Sequence, residues 1–334
     1  MYKYLDNACK ENTDVIFIIY IFFLDMGMLI ENEKEARKRL FLKLGITEET
    51  LKEDVEHLKE WMQKQPHLPA MRHVNLDLWL ENQLIMSKNS MEKAKNSIER
   101  YCSIRSVCPE WFSGSELIND VFRLTYDVLS LSYLPGLTPR LHKVCIARLE
   151  DTDSDKFNFD IIWKRCLMAM EYFLLKGQDF TGFHIIFDFS GLKLSHLARF
   201  QVSSLRMMSY SMKAYPVSFT AVNFINHPNF VDKFVAVLKP FISAKLHSRI
   251  TCVKDISELK ELLGPDVQLP SDYGGEGLSQ YEYNDIMKNK LLSIKDYILE
   301  CDKMRCDDSK RLTKEVTNTT DSGLPGSFRK LCLD

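Results

Sequence analysis

The chain has 334 residues, 45% of them hydrophobic, and a formal net charge of −2 from 44 basic and 46 acidic side chains. That length accommodates two domains with sizeable cores, and the near-neutral charge without a basic face argues against nucleic-acid binding. Nine cysteines, with no CxxC pair and no His pair at zinc-ligand spacing, read as reduced thiols of a cytosolic protein, most of them core residues.

Val15–Leu24 (VIFIIYIFFL) is a run of ten apolar residues, interrupted by Asp25. A bilayer span needs about 20. The acidic residues before the run and the lack of a small-residue cleavage site also argue against a signal peptide. Residues 1–30 therefore read as an apolar extension, either an ordinary helix or a leader before a start near Met28. From about Glu31 to Arg105 the pattern is helical. Thr47-Glu48-Glu49-Thr50 suits a hydroxyl N-cap followed by glutamate. Leu51, Val55, Leu58 and Met62 then repeat at helical spacing up to Pro66 and Pro69. Leu76, Leu80, Leu84 and Ile85 mark a second helix, and Ser90–Arg105 a third, with Ala94, Ile98, Tyr101 and Cys102 on one side.

Past Leu141 short β-rich runs appear at Val144–Leu149, Gly182–Phe189, Phe219–Ile225 and Arg249–Val253. Helical stretches at Phe159–Lys176, Leu192–Ala214 and Asn229–Leu246 lie between them. Alternating strands and helices predict an α/β fold with a parallel or mixed sheet. The strand Gly182–Phe189 sends Phe183, Ile185, Phe187 and Phe189 to one face and His184, Ile186 and Asp188 to the other. Tyr281–Arg305 is a last helix, and the polar tail from Cys306 on reads as poorly ordered.

The stretch Asn229–Leu246 (NFVDKFVAVLKPFISAKL) reads as one helix that is apolar on nearly every side. A surface helix needs a single apolar stripe, so apolar matter must cover the second side: more protein, a membrane or an apolar ligand. Catalytic signatures are absent. There is no phosphate loop, no GxGxxG after a strand, no HExxH and no GxSxG. Asp188, Ser190 and His196 cluster at a strand end, but Ser190 has the frame of a turn rather than of a nucleophile elbow. Asp151, Asp153 and Asp155 lack the glycine and closing glutamate of a calcium loop.

Gly182–Leu192 (GFHIIFDFSGL), Tyr215-Pro216, Asn226-His227-Pro228, Lys239-Pro240-Phe241 and Leu269–Gly275 (LPSDYGG) follow one another in an order that resembles the CRAL-TRIO lipid-binding domain. The spacing is similar to that in α-tocopherol transfer protein, cellular retinaldehyde-binding protein and their insect relatives. Leu58–Trp61, Gln65–Pro69 and Ala94…Tyr101…Arg105…Cys108-Pro109-Glu110 resemble the helical domain that precedes it. The resemblance implies a helical domain at 31–110, a lipid-binding α/β domain at 111–280 with a mixed sheet, and a C-terminal helix and tail at 281–334.

It further implies a carrier rather than an enzyme: a small hydrophobic lipid (tocopherol-, retinoid- or phospholipid-like) in a cavity closed by a mobile gate helix, Asn229–Leu246. The implied wall is Trp163, Cys166, Met170, Phe183, Phe187, Phe200, Met208, Val222, Val231, Val235 and Leu238. No cofactor is expected apart from the bound lipid. Lys245 and Arg249 match two phosphoinositide-binding positions of the tocopherol-transfer relatives, whereas Ser218, Thr220 and Leu80–Met86 stand where those relatives carry further basic residues. The partners implied are the lipid and, transiently, an anionic membrane surface, in a cytoplasmic protein that associates peripherally with membranes. The competing reading is a membrane-tethered adaptor that uses the fold for protein interaction.

Overall fold

A computed structural model of the chain describes residues 34–311 apart from 73, 113–119, 178, 255 and 302. The apolar run Val15–Leu24 lies outside the described residues. Helix α1, ending at 44, leads into α2 (Glu48–Gln63), α3 (Leu76–Met86) and α4 (Met91–Val107). The start of α2 is a capping box, as the sequence suggests, but Thr50 rather than a glutamate closes it. Thr47 Oγ1 accepts from Thr50 N at 3.2 Å, and Thr50 Oγ1 accepts from Thr47 N at 3.0 Å. The apolar stripes of these helices, including Leu51, Leu58, Leu80, Leu84, Ala94 and Ile98, meet in one core.

Helix α5 (Asp120–Val128) runs straight into β1 (Leu129–Tyr133), followed by β2 (His142–Leu149), α6 (Phe159–Lys176) and β3 (Gly182–Asp188). The chain continues through α7 (Leu194–Leu197), α8 (Val202–Ala214), β4 (Phe219–Ile225), α9 (Val231–Leu238), α10 (Ala244–His247), β5 (Ile250–Cys252) and α11 (Ile256–Leu263), and closes with α12 (Gln280–Ser293) and α13 (Lys295–Cys301). The sheet has five strands in sequence order. β1 pairs antiparallel with β2, and β2 to β5 are parallel, so the sheet is mixed as predicted.

Strand β1 was not expected, although its LSLSY alternation is a period-2 signal. Its serines face α12, where Ser132 Oγ donates to Gln280 O at 2.8 Å and Ser130 Oγ accepts from Gln280 Nε2 at 3.0 Å. The back of the sheet, with Val144, Ile146, Ile186 and Ile225, packs on Leu259, Leu263, Leu269 and Tyr283.

Of the four long helices expected past Leu141, Phe159–Lys176 is continuous and the other three are interrupted. The 192–214 stretch breaks between α7 and α8, where Phe200 turns inward onto Phe159 and Phe157, ring centroids 4.9 and 5.6 Å away. The C-terminal stretch breaks at Ile294, which is buried. The 229–246 stretch is α9, a 3-10 turn at Lys239–Phe241, and α10. Pro240 has no N–H to continue the ladder, and Ser243 Oγ restarts a helix by accepting from Leu246 N at 3.1 Å. The chain from 306 to 311 is not loose as expected. Asp307 N donates to His67 O at 2.9 Å, and Arg311 pairs with Glu99 at 3.1 Å.

Candidate functional site

The front face of the sheet presents Leu131, Cys145, Ala147, Ile185, Phe187, Val222 and Phe224. The alternation along β3 is as read from the sequence, but burial differs between its two faces. On the back, His184, Ile186 and Asp188 are buried. On the front, Ile185 and Phe187 stay only partly buried although β3 is flanked by β2 and β4. A central strand with helices on both faces ordinarily hides both rows of side chains. Here the middle of the front row keeps accessible surface. Ile185 contacts the large core shared with the helical domain, the cluster under the gate and the small cluster on β1 and β2, while Phe187 contacts the latter two.

One side of this face is covered by α6. Trp163 and Cys166 are half-buried there, and Trp163 Nε1 donates to Ser211 Oγ of α8 at 2.9 Å. Opposite lies the gate segment, with Val231 and Phe234 buried and Val235 and Leu238 half-buried. The gate end of the face is filled by interlocked rings: Phe234 stands 5.0 Å from Phe189, 6.0 Å from Phe224 and 5.9 Å from Phe200.

Of the expected wall, Cys166, Phe187, Phe200, Val222, Val231, Val235 and Leu238 border this face or the gate segment, while Trp163 packs against the large core. Phe183 and Met170 instead belong to the large core shared with the helical domain. Phe183 is fully buried there, with Phe180 and Phe173 rings at 4.9 and 5.4 Å. Met208 is buried on α8. Ile185, Phe224 and Phe234 were not on the expected wall. The strand alternation that placed Phe187 carries the signal for Ile185, and pairing with β4 brings Phe224 beside Phe187.

The thiols on this face are neutral. Burial raises the Cys166 thiol to about 11 and pushes Cys145 well above the ordinary thiol range. Neither is a thiolate nucleophile near pH 7. The Asp188, Ser190, His196 trio is turn chemistry. Asp188 accepts from Ser190 N (3.0 Å), Ser190 Oγ (2.7 Å), Asn226 Nδ2 (2.9 Å) and Tyr273 OH (2.9 Å). His196 Nδ1 accepts from Lys193 N at 3.1 Å, so its imidazole does not face the serine. The same bonds join the DFSG turn, Asn226 and the LPSDYGG segment.

In that segment a side chain at Gly275 would lie 1.8 Å from Leu269 O, so only glycine fits. An open cleft of about 570 Å³ lies over this turn, lined by Arg148, Thr152, Asp188, Ser190, Asn226 and Tyr273. A cavity of about 20 Å³ is buried beside Arg105 and Glu171. Asp151, Asp153 and Asp155 form successive turns, with Asp153 N and Asp155 N donating to the preceding aspartate at 2.9 and 3.0 Å. Among the described residues no cluster of His, Cys, Asp and Glu has metal-binding geometry.

Residues 129–275 match the profile of the CRAL/TRIO domain, which takes in the sheet, the gate and the turn that holds Asp188. This part of the chain is a CRAL-TRIO domain. Residues 47–121 match a Pinta-like UBA domain. Similar CRAL-TRIO relatives are Clavesin-2 of Rattus norvegicus, 21% identical over 314 residues (89% of this chain, 93% of that one), and Clavesin-1 of Xenopus laevis, 23% identical over 242 residues (70% of each). The crystal structure of Sfh5 covers 78% of this chain and 98% of its own at 15% identity and a TM-score of 0.41, too loose a likeness to bear on the fold.

The CRAL-TRIO domain supports lipid binding as the general function of this chain. Of the two basic residues expected to meet phosphoinositide, Lys245 is exposed on α10. Arg249 is half-buried, and its guanidinium donates to Phe219 O at the start of β4. Among the described residues no helix is long and apolar enough to cross a membrane.

Proposed function

We propose that the protein carries a small hydrophobic lipid, of tocopherol, retinoid or phospholipid type, in a hollow between the front of the sheet and α6, α8 and α9. In this reading it is a cytoplasmic carrier that visits membranes and performs no chemistry on its cargo. The observation that carries the reading is the accessible surface left on Ile185 and Phe187, innermost residues that would be sealed in an ordinary core. Burying a prenyl or acyl chain there is worth about 0.8 kcal/mol per methylene, so a dozen carbons suffice without a charged contact. The neutral lining of Cys166, Phe187 and Val222 suits such a guest.

Loading requires Phe234 to leave Phe189 and Phe224, and the 3-10 turn at Lys239–Phe241 is the joint about which α9 would swing. Opening at a bilayer lets the freed apolar face meet lipid rather than water. Lys245, with Arg249 behind it, would meet anionic headgroups such as phosphoinositides during that contact.

The test is mass spectrometry of an organic extract of the purified protein, beside the Cys166→Trp variant. A stoichiometric lipid in the wild type, lost in the variant while its circular dichroism is unchanged, is the expected result. A folded wild-type protein that yields no lipid and takes up no hydrophobic fluorophore overturns the reading.

A further inference from the structure

Because β2 to β5 are parallel, they all begin at one edge of the sheet, at His142, Gly182, Phe219 and Ile250. Lys245 and Arg249 stand at that edge beside β5. A second group of cations gathers at its other end, about 15 Å away at the usual strand spacing. The connection between β1 and β2 places Arg140 there, and α1 lies against it. Lys43 Nζ donates to Arg140 O at 2.6 Å and to Thr181 Oγ1 at 3.3 Å, and Arg39 Nη2 donates to Pro139 O at 3.2 Å. Lys88 joins them from the turn between α3 and α4, where its backbone is left-handed at φ 58.

These groups feel one another. Lys43 is held below its ordinary range by burial and then by Lys88, Arg140 and Arg39, and His142 is pushed down by burial and then by Lys43, His184, Arg140 and Lys88. Asp266, 3.8 Å from Arg39, offsets one charge. Lys88 and Arg140 are exposed and, among the described residues, have no acid within ion-pair reach. Gathered like charges cost folding free energy, and nothing inside the described molecule offsets these two.

Leu42 lies on α1 between Arg39 and Lys43 and is 85% exposed. Cations around a bare leucine match the chemistry of an anionic bilayer: headgroup phosphates and carboxylates for the charges, the acyl boundary for the side chain. A soluble polyphosphate would engage the cations but has no use for the leucine.

We propose that this sheet edge is the surface on which the protein rests on an anionic membrane, with Leu42, Lys43, Lys88 and Arg140 as a contact separate from Lys245 and Arg249. The proposal rests on the lipid-carrier reading and fixes which way up the carrier docks.

The test is flotation of the full chain with vesicles of phosphatidylcholine containing phosphatidylserine, against vesicles of phosphatidylcholine alone. Each basic residue at such a surface contributes about fivefold. The pair Lys88→Glu and Arg140→Glu should therefore weaken binding to the anionic vesicles by at least about 25-fold, and Leu42→Asp should weaken it further, with lipid content unchanged and the unfolding midpoint not lowered. Unchanged flotation of the charge-reversed pair, with only Lys245→Glu and Arg249→Glu reducing it, overturns this surface while leaving the carrier reading intact. So does a Leu42→Cys thiol in the full chain that resists maleimide, because the leucine would then be covered by the chain itself.

Discussion

Arg105 on α4 and Glu171 on α6 form an ion pair that is 1% and 4% exposed, and three tyrosines converge on the same carboxylate. Tyr101 OH donates at 2.8 Å, Tyr297 OH at 3.0 Å and Tyr215 OH at 2.5 Å. Removing one member of such a pair strands a buried charge, which costs about 3–5 kcal/mol. Glu171→Ala is expected to lower stability by that order in urea denaturation, and a loss below about 1 kcal/mol would show that the pair is not integral to the core. A second residue-scale effect concerns acid. His142 is pushed down from 6.5 to about 4 by burial and by the cations around it. Burial also lowers His184 and His196. A depressed histidine is neutral in the fold while its unfolded counterpart takes up a proton, so stability falls as pH drops from about 6.5 toward 4. His142→Gln should flatten that limb of a plot of unfolding midpoint against pH, and an unchanged slope would discount this residue.

At the scale of elements, the gate is where sequence spacing and structure part company. Apolar residues from Phe230 to Leu246 fit a continuous helix, yet Pro240 and Ser243 cut it into α9, a 3-10 turn and α10. Two short rods on a joint can move as one long helix cannot, because only the joint's dihedrals have to change. What holds α9 down is the contact of Phe234 with Phe189, Phe200 and Phe224. Truncating a buried phenylalanine costs about 3–5 kcal/mol, which in the carrier reading falls mainly on closure. Phe234→Ala is expected to speed exchange of a bound hydrophobic fluorophore at least tenfold while lowering the melting temperature by a few degrees. Exchange at the wild-type rate would mean that these rings are not the latch.

For the molecule as a whole, the helical and α/β parts share one core, which runs from Leu40 through Phe173 and Phe183 to Met304. The segment after α13 closes that core. Cys306 is buried, its N donating to Cys102 O at 3.4 Å, and Arg311 reaches Glu99. Ending the chain at Met304 uncovers Cys102 and His67, and about 2 kcal/mol of stability should go with the lost burial and hydrogen bonds. Hydrogen exchange in helix 91–107 measures this directly, and unchanged protection there would mean that the segment merely lies on the surface.

Local physics determined much of this protein in advance. Period-2 alternation placed Phe187 and Ile185 on one side of β3, a hydroxyl before a periodic run placed the start of α2, and the ordered motifs pointed to the family. The same rules misplaced what depends on distant contacts. Phe200 breaks a helix because Phe159 and Phe157 lie across from it, and Phe183, on the same strand face as Phe187, seals a core because Phe173 and Phe180 surround it. A basic residue's setting was equally out of reach, since Lys43, Lys88 and Arg140 come from three separate segments. Spacing along a chain fixes which way a side chain points, whereas only the assembled neighbours fix whether it meets another side chain, solvent or a space.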